Sequence, residues 1–345
     1  MAPAETLDGV YELDRQPYRL VSRREVPNWS ARFVSDSDFR AYLLFPLYRL
    51  SAFMNGRMRA AISRRFPIQR MRSKTKRWRA IVGDVFPDRP GGDLTRLAAV
   101  YREAATRRFM YYVLERSGRR FRPEFSIEGR ESLDQALDEN RGVILWAENV
   151  MFQTHAGKRA LSSAGYPAYQ LSTPGHGFSN SRAAKRWLNA WQVAIEDRYL
   201  AGWIIFDPHG TEPVGPKIEA LLGENKIVLI TNNGHAGRRF IDIPIANGST
   251  HRVAMGPISL ALKTGAPILP CAVIETEPLQ HYVLKIGEAL VPETDGNADH
   301  AGAVVRAAAR YRTWLLAVIS DHPEQWMSWQ FLRRADDSSQ RELSD

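Results

Sequence analysis

The sequence predicts an α/β fold, with a mixed and mostly parallel sheet flanked by helices, behind a basic and mainly helical N-terminal region. Short runs of Val, Ile and Leu alternate with helical segments from residue 125 onward, which is typical of a sheet covered on both faces. The composition, 345 residues of which 44% are hydrophobic and 25% charged, excludes a largely disordered chain. We expect an N-terminal region at 1–124, an α/β domain at 125–334 and a flexible tail at 335–345.

The N-terminal region contains one long apolar stretch, from Ala41 to Met54, which Pro46 and Arg49 interrupt. It is too short to span a bilayer, which takes about 20 apolar residues. It predicts either a partly buried helix or a helix lying on a membrane surface. The first residues carry acids and no apolar run, so we expect no export signal.

A strongly basic segment follows, within a chain of net charge +9. It contains no acid and ten basic residues, namely Arg57, Arg59, Arg64, Arg65, Arg70, Arg72, Lys74, Lys76, Arg77 and Arg79. Such a run is either a solvated helix face or a binding surface for a polyanion. The partners that fit are an anionic membrane surface, a phosphorylated carrier and tRNA.

The next segment, from Leu94 to Ser117, repeats apolar residues at helical spacing and predicts an amphipathic helix. Asp93 is its predicted N-cap. The single cysteine, Cys271, cannot form an internal disulfide, and no Cys/His spacing indicates a metal site. We therefore expect a cytoplasmic protein, with no metal and no resident cofactor.

The elements of the α/β domain follow from residue 125. Predicted strands cover 125–129, 142–149, 168–172, 203–207, 226–233, 266–275 and 282–290, the last two as a hairpin, and predicted helices cover 132–139, 214–222 and 257–263. Ligands of open α/β sheets bind at the carboxyl ends of the strands. Three of these ends are polar, at 148–155, 207–210 and 232–239, and they are the candidate site.

Part of the chain resembles a known family. The segments that carry the resemblance are RGVILWAEN, LLGENKIVLITNNGHAGRRFIDIPIANGSTHRVAMGPISLALKTGAPILPCAV and HPEQWMSWQFLRR, preceded by FPDRPGGDLTRLAAVYRE. In this order they are similar to the bacterial lipid A lauroyl/myristoyl acyltransferases, whose relatives include mannosyl-phosphoinositide acyltransferases. The resemblance covers roughly residues 60–334 and implies transfer of an acyl group.

The family's catalytic pair is absent from the matching positions. The family uses a His, acting as general base on the acceptor hydroxyl, and an acid five residues later, where this chain has Asn149 and Thr154. Glu148 and His155 flank these positions, and either one serves as a relocated base or both have structural roles. Alternatively, no strong base is needed, because an amine of low pKa arrives neutral and Asn149 only orients it or the carbonyl oxygen.

The resemblance also implies that the loop after the strand at 226–233 binds substrate. The candidates there are Asn232, Asn233, His235 and Arg238, to which Thr154 is added. Amides in place of the family's acids favour an anionic substrate, while the alternative is a turn with a surface arginine. Weaker candidates are Asp207 and His209 in a turn-forming DPHG, and His176 in a glycine-containing loop.

The resulting functional prediction is an acyl-group transferase that acts on an amine or hydroxyl acceptor other than lipid A. The donor is expected to be an acyl carrier protein thioester, a CoA thioester or an aminoacyl-tRNA. Three alternatives remain: an aminoacyl-tRNA-dependent enzyme of specialised metabolism, a lipid acyltransferase peripheral to the inner face of the membrane with a relocated base, and a non-catalytic protein that binds lipid or RNA.

Overall fold

A computed structural model of the protein describes residues 9–22, 36–68, 72–174, 176–177, 181–207, 213–232, 237–246, 248–290 and 300–334, with backbone alone at 36–37, 72–74 and 119. The helices in these ranges are α1 Asp36–Leu50, α2 Gly56–Arg65, α3 Arg72–Val85, α4 Gly91–Glu115, α5 Arg130–Asp138, α6 Lys158–Ser163, α7 Arg182–Arg186, α8 Leu188–Glu196, α9 Gly215–Gly223, α10 Gly256–Thr264 and α11 His300–Asp321. The strands are β1 Gly9–Leu13, β2 Gln16–Ser22, β3 Glu124–Glu128, β4 Val143–Ala147, β5 Ala168–Ser172, β6 Leu200–Ile205, β7 Ile227–Thr231, β8 Arg239–Ala246, β9 Ser249–Ala254, β10 Ile268–Glu277, β11 His281–Ile286 and β12 Arg333–Arg334.

The larger sheet has seven strands in the order β3-β11-β10-β4-β7-β5-β6. Strands β10, β4, β7, β5 and β6 run parallel, and the β10–β11 hairpin turns β11 and its parallel neighbour β3 the other way. All five residues of the central strand β4 are buried, as expected for an apolar strand covered on both faces. The predicted α/β class is confirmed.

The entry into β4 requires a glycine. Gly142 has a φ of +66°, and a Cβ built there would lie 2.7 Å from backbone atoms of Leu222 at the end of α9. Only glycine accepts both this backbone conformation and so close an approach. The position of β4, and of the polar residues after it, therefore depends on this residue.

A second sheet, which the sequence analysis did not predict, is antiparallel and has the order β1-β2-β8-β9-β12. Its strands β8 and β9 form a hairpin in which Arg252 binds Asp242 through two hydrogen bonds of 2.6 Å. Strand β2 pairs with β8, so the N-terminal region and the segment after residue 125 share this sheet. The N-terminal region is consequently not purely helical.

The predicted N-terminal helices are present, with one correction. Helix α4 begins at Gly91 with Pro90 at its N-cap, so Asp93 lies inside the first turn and does not cap the helix. Helix α1 is partly buried, as one of the two interpretations predicted, through Ala41 and Tyr48. None of the helices described here is long and apolar enough to cross a membrane.

The described residues of the basic segment lie mainly on α2 and α3. Six of its side chains are exposed: Arg57, Arg64, Arg65, Lys76, Arg77 and Arg79. The prediction that Arg59 belongs to the basic surface is wrong. Arg59 is 8% exposed and donates to the carbonyls of Ser51 and Ala52, both at 3.1 Å. Arg70 and the side chains of Arg72 and Lys74 lie outside the described part of the chain, as does the predicted tail at 335–345.

Candidate functional site

A cavity of about 600 Å³ lies at the carboxyl ends of the parallel strands. Asn149 follows β4, Thr173 follows β5, Asp207 follows β6 and Thr231 ends β7, and all four line the cavity. Parallel strands bring their carboxyl ends to one edge, which explains why residues distant in sequence meet here. The cavity therefore lies where the sequence predicted a site.

Much of the lining is apolar and is suited to a hydrocarbon chain. Its larger apolar residues are Leu171, Phe206, Ile218, Ile230, Met255 and Leu260. Pockets that are mostly apolar with a few convergent polar groups are typical of small-molecule sites. The polar side chains of this cavity come from Arg108, Asn149, Thr154, Gln170, Ser172, Thr173, His176, Asp207, Arg238, Arg239, Thr231 and Ser259.

The charged part of the lining is positive. The charged side chains among the described lining residues are three arginines, Arg108, Arg238 and Arg239, and one carboxylate, Asp207. The N-terminus of α10 adds the positive end of a helix dipole, since Gly256 also lines the cavity. These groups favour an anion, or a carbonyl oxygen that gains negative charge.

Arg108, which the sequence analysis missed, comes from the middle of α4. It is half-buried, and its Nε is buried without a hydrogen-bond partner among the described residues. Its Nη1 donates to Sδ of Met327 at 3.5 Å, a weak acceptor. A buried donor without an acceptor costs free energy, so Arg108 retains donor capacity for a ligand oxygen.

Asn149 and Thr154 are the positions at which the sequence resemblance implies a His and an acid, and both line the cavity. Thr154 lies in a short π-helical turn, Gln153–Gly157, and its Oγ1 is 3.4 Å from Oη of Tyr112. Neither side chain titrates, so these two residues can donate and accept hydrogen bonds but cannot serve as a base.

Glu148 does not line the cavity. It is fully buried behind it and accepts hydrogen bonds from Tyr311, from Trp326 Nε1 at 2.9 Å and from Asn232 Nδ2 at 3.2 Å. Burial opposes ionisation of Glu148, but hydrogen bonds and the nearby His251 outweigh burial and hold its pKa below the ordinary value. This geometry supports a structural role and does not support the predicted role as a base.

His155 is also outside the lining. It is 2% exposed and packs on the rings of Tyr111 and Tyr112, with centroid distances of 4.3 and 4.5 Å. Burial, with help from the charge of Arg108, holds the pKa of His155 well below its ordinary value. The imidazole is therefore a neutral core residue, and its position does not support the predicted catalytic role.

The remaining predicted substrate-binding residues divide between the cavity and the core. Arg238 is exposed at the cavity. Asn232 is buried with Glu148 and does not line it. Asn233, His235 and the weaker candidate His209 lie outside the described residues.

A buried carboxylate beside the cavity was missed as well. Glu196, the last residue of α8, accepts hydrogen bonds from Tyr112 Oη and Gln192 Nε2, both at 2.6 Å, from His176 Nε2 at 2.9 Å and from Lys158. Burial opposes ionisation of Glu196, but the charge of Lys158 and these hydrogen bonds set its pKa well below the ordinary value. The sequence did contain a signal for this residue. An acid within the mainly apolar helix LNAWQVAIE indicates a buried carboxylate that needs a partner.

Comparison with protein-family models gives no match for this chain, and a search of the curated proteins gives no match either. Within the described part of the chain, no group of three or more His, Cys, Asp or Glu side chains could hold a metal ion. The chemistry of the site is therefore inferred from its own residues: apolar side chains, three arginines with one carboxylate, and hydrogen-bonding side chains that include Asn149, Thr154 and His176.

Proposed function

We propose that the protein is an acyl-group transferase, which passes an acyl or aminoacyl group from an activated ester or thioester to an amine or hydroxyl. The observation that carries this proposal is that apolar side chains, three arginines and the amide of Asn149 line the same cavity. Such a chamber fits a donor with a hydrocarbon part and a phosphate-bearing carrier.

Each part of the cavity has a place in this reaction. Leu171, Ile218 and Leu260 would hold the acyl chain, and Arg238 and Arg239 would hold the phosphates of the carrier. When the acceptor attacks the carbonyl carbon, negative charge develops on the carbonyl oxygen. Hydrogen-bond donors aimed at that oxygen stabilise the transition state, and Arg108 and Asn149 are the candidate donors.

The resemblance to the lipid A acyltransferases supports the same reaction class. The positions that match its His and acid, Asn149 and Thr154, line the cavity although neither titrates. The replacement changes their role from proton transfer to orientation of substrate. It favours an acceptor that differs from lipid A.

A transfer assay with paired donors and acceptors tests this proposal. The donors are decanoyl-CoA, a decanoyl acyl carrier protein and an aminoacyl-tRNA, and the acceptors are octylamine, N-octylhydroxylamine and a lysophospholipid, with products read by mass spectrometry. We expect transfer from at least one donor and a large loss in Asn149→Ala, with no loss in Gln330→Ala, an exposed amide outside the cavity. Absence of transfer from every donor would contradict the proposal.

The surface of the N-terminal helices favours one of the predicted partners. On α1, Phe39, Leu43 and Leu50 are 64%, 66% and 60% exposed, and their spacing places them on one side of the helix, opposite the buried Ala41 and Tyr48. Phe53 is 67% exposed just beyond. We call Phe39, Leu43, Leu50 and Phe53 the apolar stripe.

Exposed arginines of α2, namely Arg57, Arg64 and Arg65, follow the apolar stripe in the chain. An apolar helix face beside basic side chains is typical of helices that lie in the interface of an anionic membrane. We infer that this surface binds an anionic membrane rather than tRNA, because a polyanion alone leaves the stripe in water.

Vesicle sedimentation tests that assignment. Wild type should sediment with phosphatidylglycerol vesicles and not with phosphatidylcholine vesicles, and Leu43→Glu should weaken binding at least tenfold. Val10→Glu is the matched control, since Val10 is 65% exposed on β1 outside the stripe. Retention of binding in Leu43→Glu, or tRNA binding that exceeds vesicle binding at equal salt, would overturn it.

A further inference from the structure

One histidine of the cavity is held by a buried carboxylate. His176 lines the cavity, and its Nε2 lies 2.9 Å from Oε2 of Glu196, which is 1% exposed. Glu196 accepts and cannot donate, so Nε2 carries the ring proton and Nδ1 keeps a free lone pair. The amide nitrogen of Gln192 lies 3.4 Å from the same Nε2, but it can only donate, so it makes no hydrogen bond to the protonated Nε2.

The carboxylate is fixed in its turn. Its Oε1 accepts from Tyr112 and Gln192, and its Oε2 from Lys158 and His176. Lys158 Nζ lies 4.5 Å from the centre of the Trp203 ring, whose own centre is 5.5 Å from that of His176. The imidazole therefore has a defined tautomer and a defined orientation on the cavity wall.

Thr154 links the same carboxylate to the other side of the cavity. Thr154 Oγ1 is 3.4 Å from Tyr112 Oη, and that hydroxyl donates to Glu196. Two lining residues, Thr154 and His176, thus converge on Glu196 from different elements. The site holds a histidine and a carboxylate although both are missing from the positions that the sequence pattern marked.

We propose that His176 is the general base of the acyl transfer, with Glu196 as its positioning residue. This inference rests on the proposed function. As the acceptor heteroatom bonds to the carbonyl carbon of the donor, Nδ1 of His176 takes the acceptor's proton. The tetrahedral intermediate then expels the carrier thiolate or alkoxide, which takes the same proton back from the imidazolium. The products are the new amide or ester and the protonated carrier.

Several charged and titratable groups belong to the elements around the cavity. The titratable and charged groups of the elements around it are Arg108 and Tyr112 of α4, Lys158 of α6, Glu196 of α8, Asp207 after β6, and Arg238 and Arg239 at the start of β8. A general base acts only in its unprotonated form, so kcat/KM of the wild type should fall at low pH.

The test is the pH profile of transfer for wild type, His176→Gln and His176→Ala. We expect a loss of about 10²- to 10⁴-fold in kcat/KM, the usual contribution of a general base, and loss of the acidic limb of the profile in both variants. Added imidazole should restore part of the activity of His176→Ala, which a structural role would not allow.

His322→Ala is the matched control, since His322 lies 3.9 Å from a carboxylate of Glu324 but outside the cavity. It should leave the rate and the profile unchanged. If the wild type is active and the kcat/KM values of the His176 variants lie within threefold of it, the proposal that His176 is the base is overturned. The proposed acyl transfer is then unaffected. Inactive wild type with every donor would instead overturn the transferase itself, and the base with it.

Discussion

Glu196 lies at the end of α8, fully shielded from solvent, and accepts hydrogen bonds from His176 at the cavity and from Lys158 in the core. The same carboxylate therefore joins the packing of α6 and α8 to the wall of the cavity. Substitutions of its partners distinguish effects on stability from effects on activity, because Lys158 lies in the core and His176 lies at the cavity.

Lys158 supports the fold. Lys158→Met leaves the buried carboxylate of Glu196 without its charged partner, and we expect a loss of about 3–5 kcal/mol in the free energy of unfolding. Urea denaturation measures it. Lys263→Met, which breaks the exposed pair with Glu219, should cost at most about 1 kcal/mol. Equal losses in the two variants would show that the Lys158 pair does not stabilise the fold.

Arg108 supports the reaction. Arg108→Met removes the donor that the cavity leaves without an acceptor, and we expect kcat/KM for transfer to fall about 10²-fold, as for loss of an oxyanion donor. Arg96→Met, an exposed position on the same helix, is the control. A wild-type rate in Arg108→Met would contradict the role of Arg108 as a hydrogen-bond donor in the reaction.

His155 should make the protein sensitive to mild acid. Its folded-state pKa is lowered, so below about pH 6.5 the unfolded chain binds a proton that the folded protein does not. Stability is complete above that pH and falls as the pH drops, by up to about 1.4 kcal/mol per pH unit from this group. His155→Leu should flatten the dependence between about pH 6.5 and pH 5. Urea midpoints across that window measure it, and an unchanged slope would contradict a buried neutral His155.

A substitution at Glu148 tests whether this acid has a structural or a catalytic role. Glu148→Gln places an amide donor against the donors Tyr311 and Trp326, and we expect a loss of about 2–4 kcal/mol of stability. The shape of the pH profile of kcat/KM should not change, because Glu148 does not line the cavity. Loss of the acidic limb in this variant would return Glu148 to the chemistry.

The larger sheet was predictable because its central strands are apolar on both faces and bounded by turns, as in VILWA of β4. The smaller sheet was not. Strand β8 contains Asp242 and Pro244, which are residue types typical of loops. Asp242 is accommodated in the strand because Arg252 of β9 binds it. Strand β2, at Gln16–Ser22, pairs with β8, at Arg239–Ala246, and a pairing between segments so distant in sequence carries no local signal.

The position of the cavity was predictable, but the roles of its residues were not. Asn149, Thr154 and Arg238 were predicted and line it, because strand ends are visible in the sequence. Glu148 and His155 were chosen as neighbours of the expected pair, and side-chain direction placed both in the core. His176 becomes a strong candidate only once α8 brings Glu196 against it.

Photoaffinity labelling with a decanoyl-pantetheine phosphate that carries a diazirine at the end of its acyl chain tests the central claim, that the cavity holds the acyl donor. After irradiation and digestion, we expect saturable label on peptides that contain Leu171, Ile218 or Leu260, and its loss when decanoyl-CoA competes. Label confined to the apolar stripe of α1, or label that does not saturate, would contradict an acyl-binding cavity.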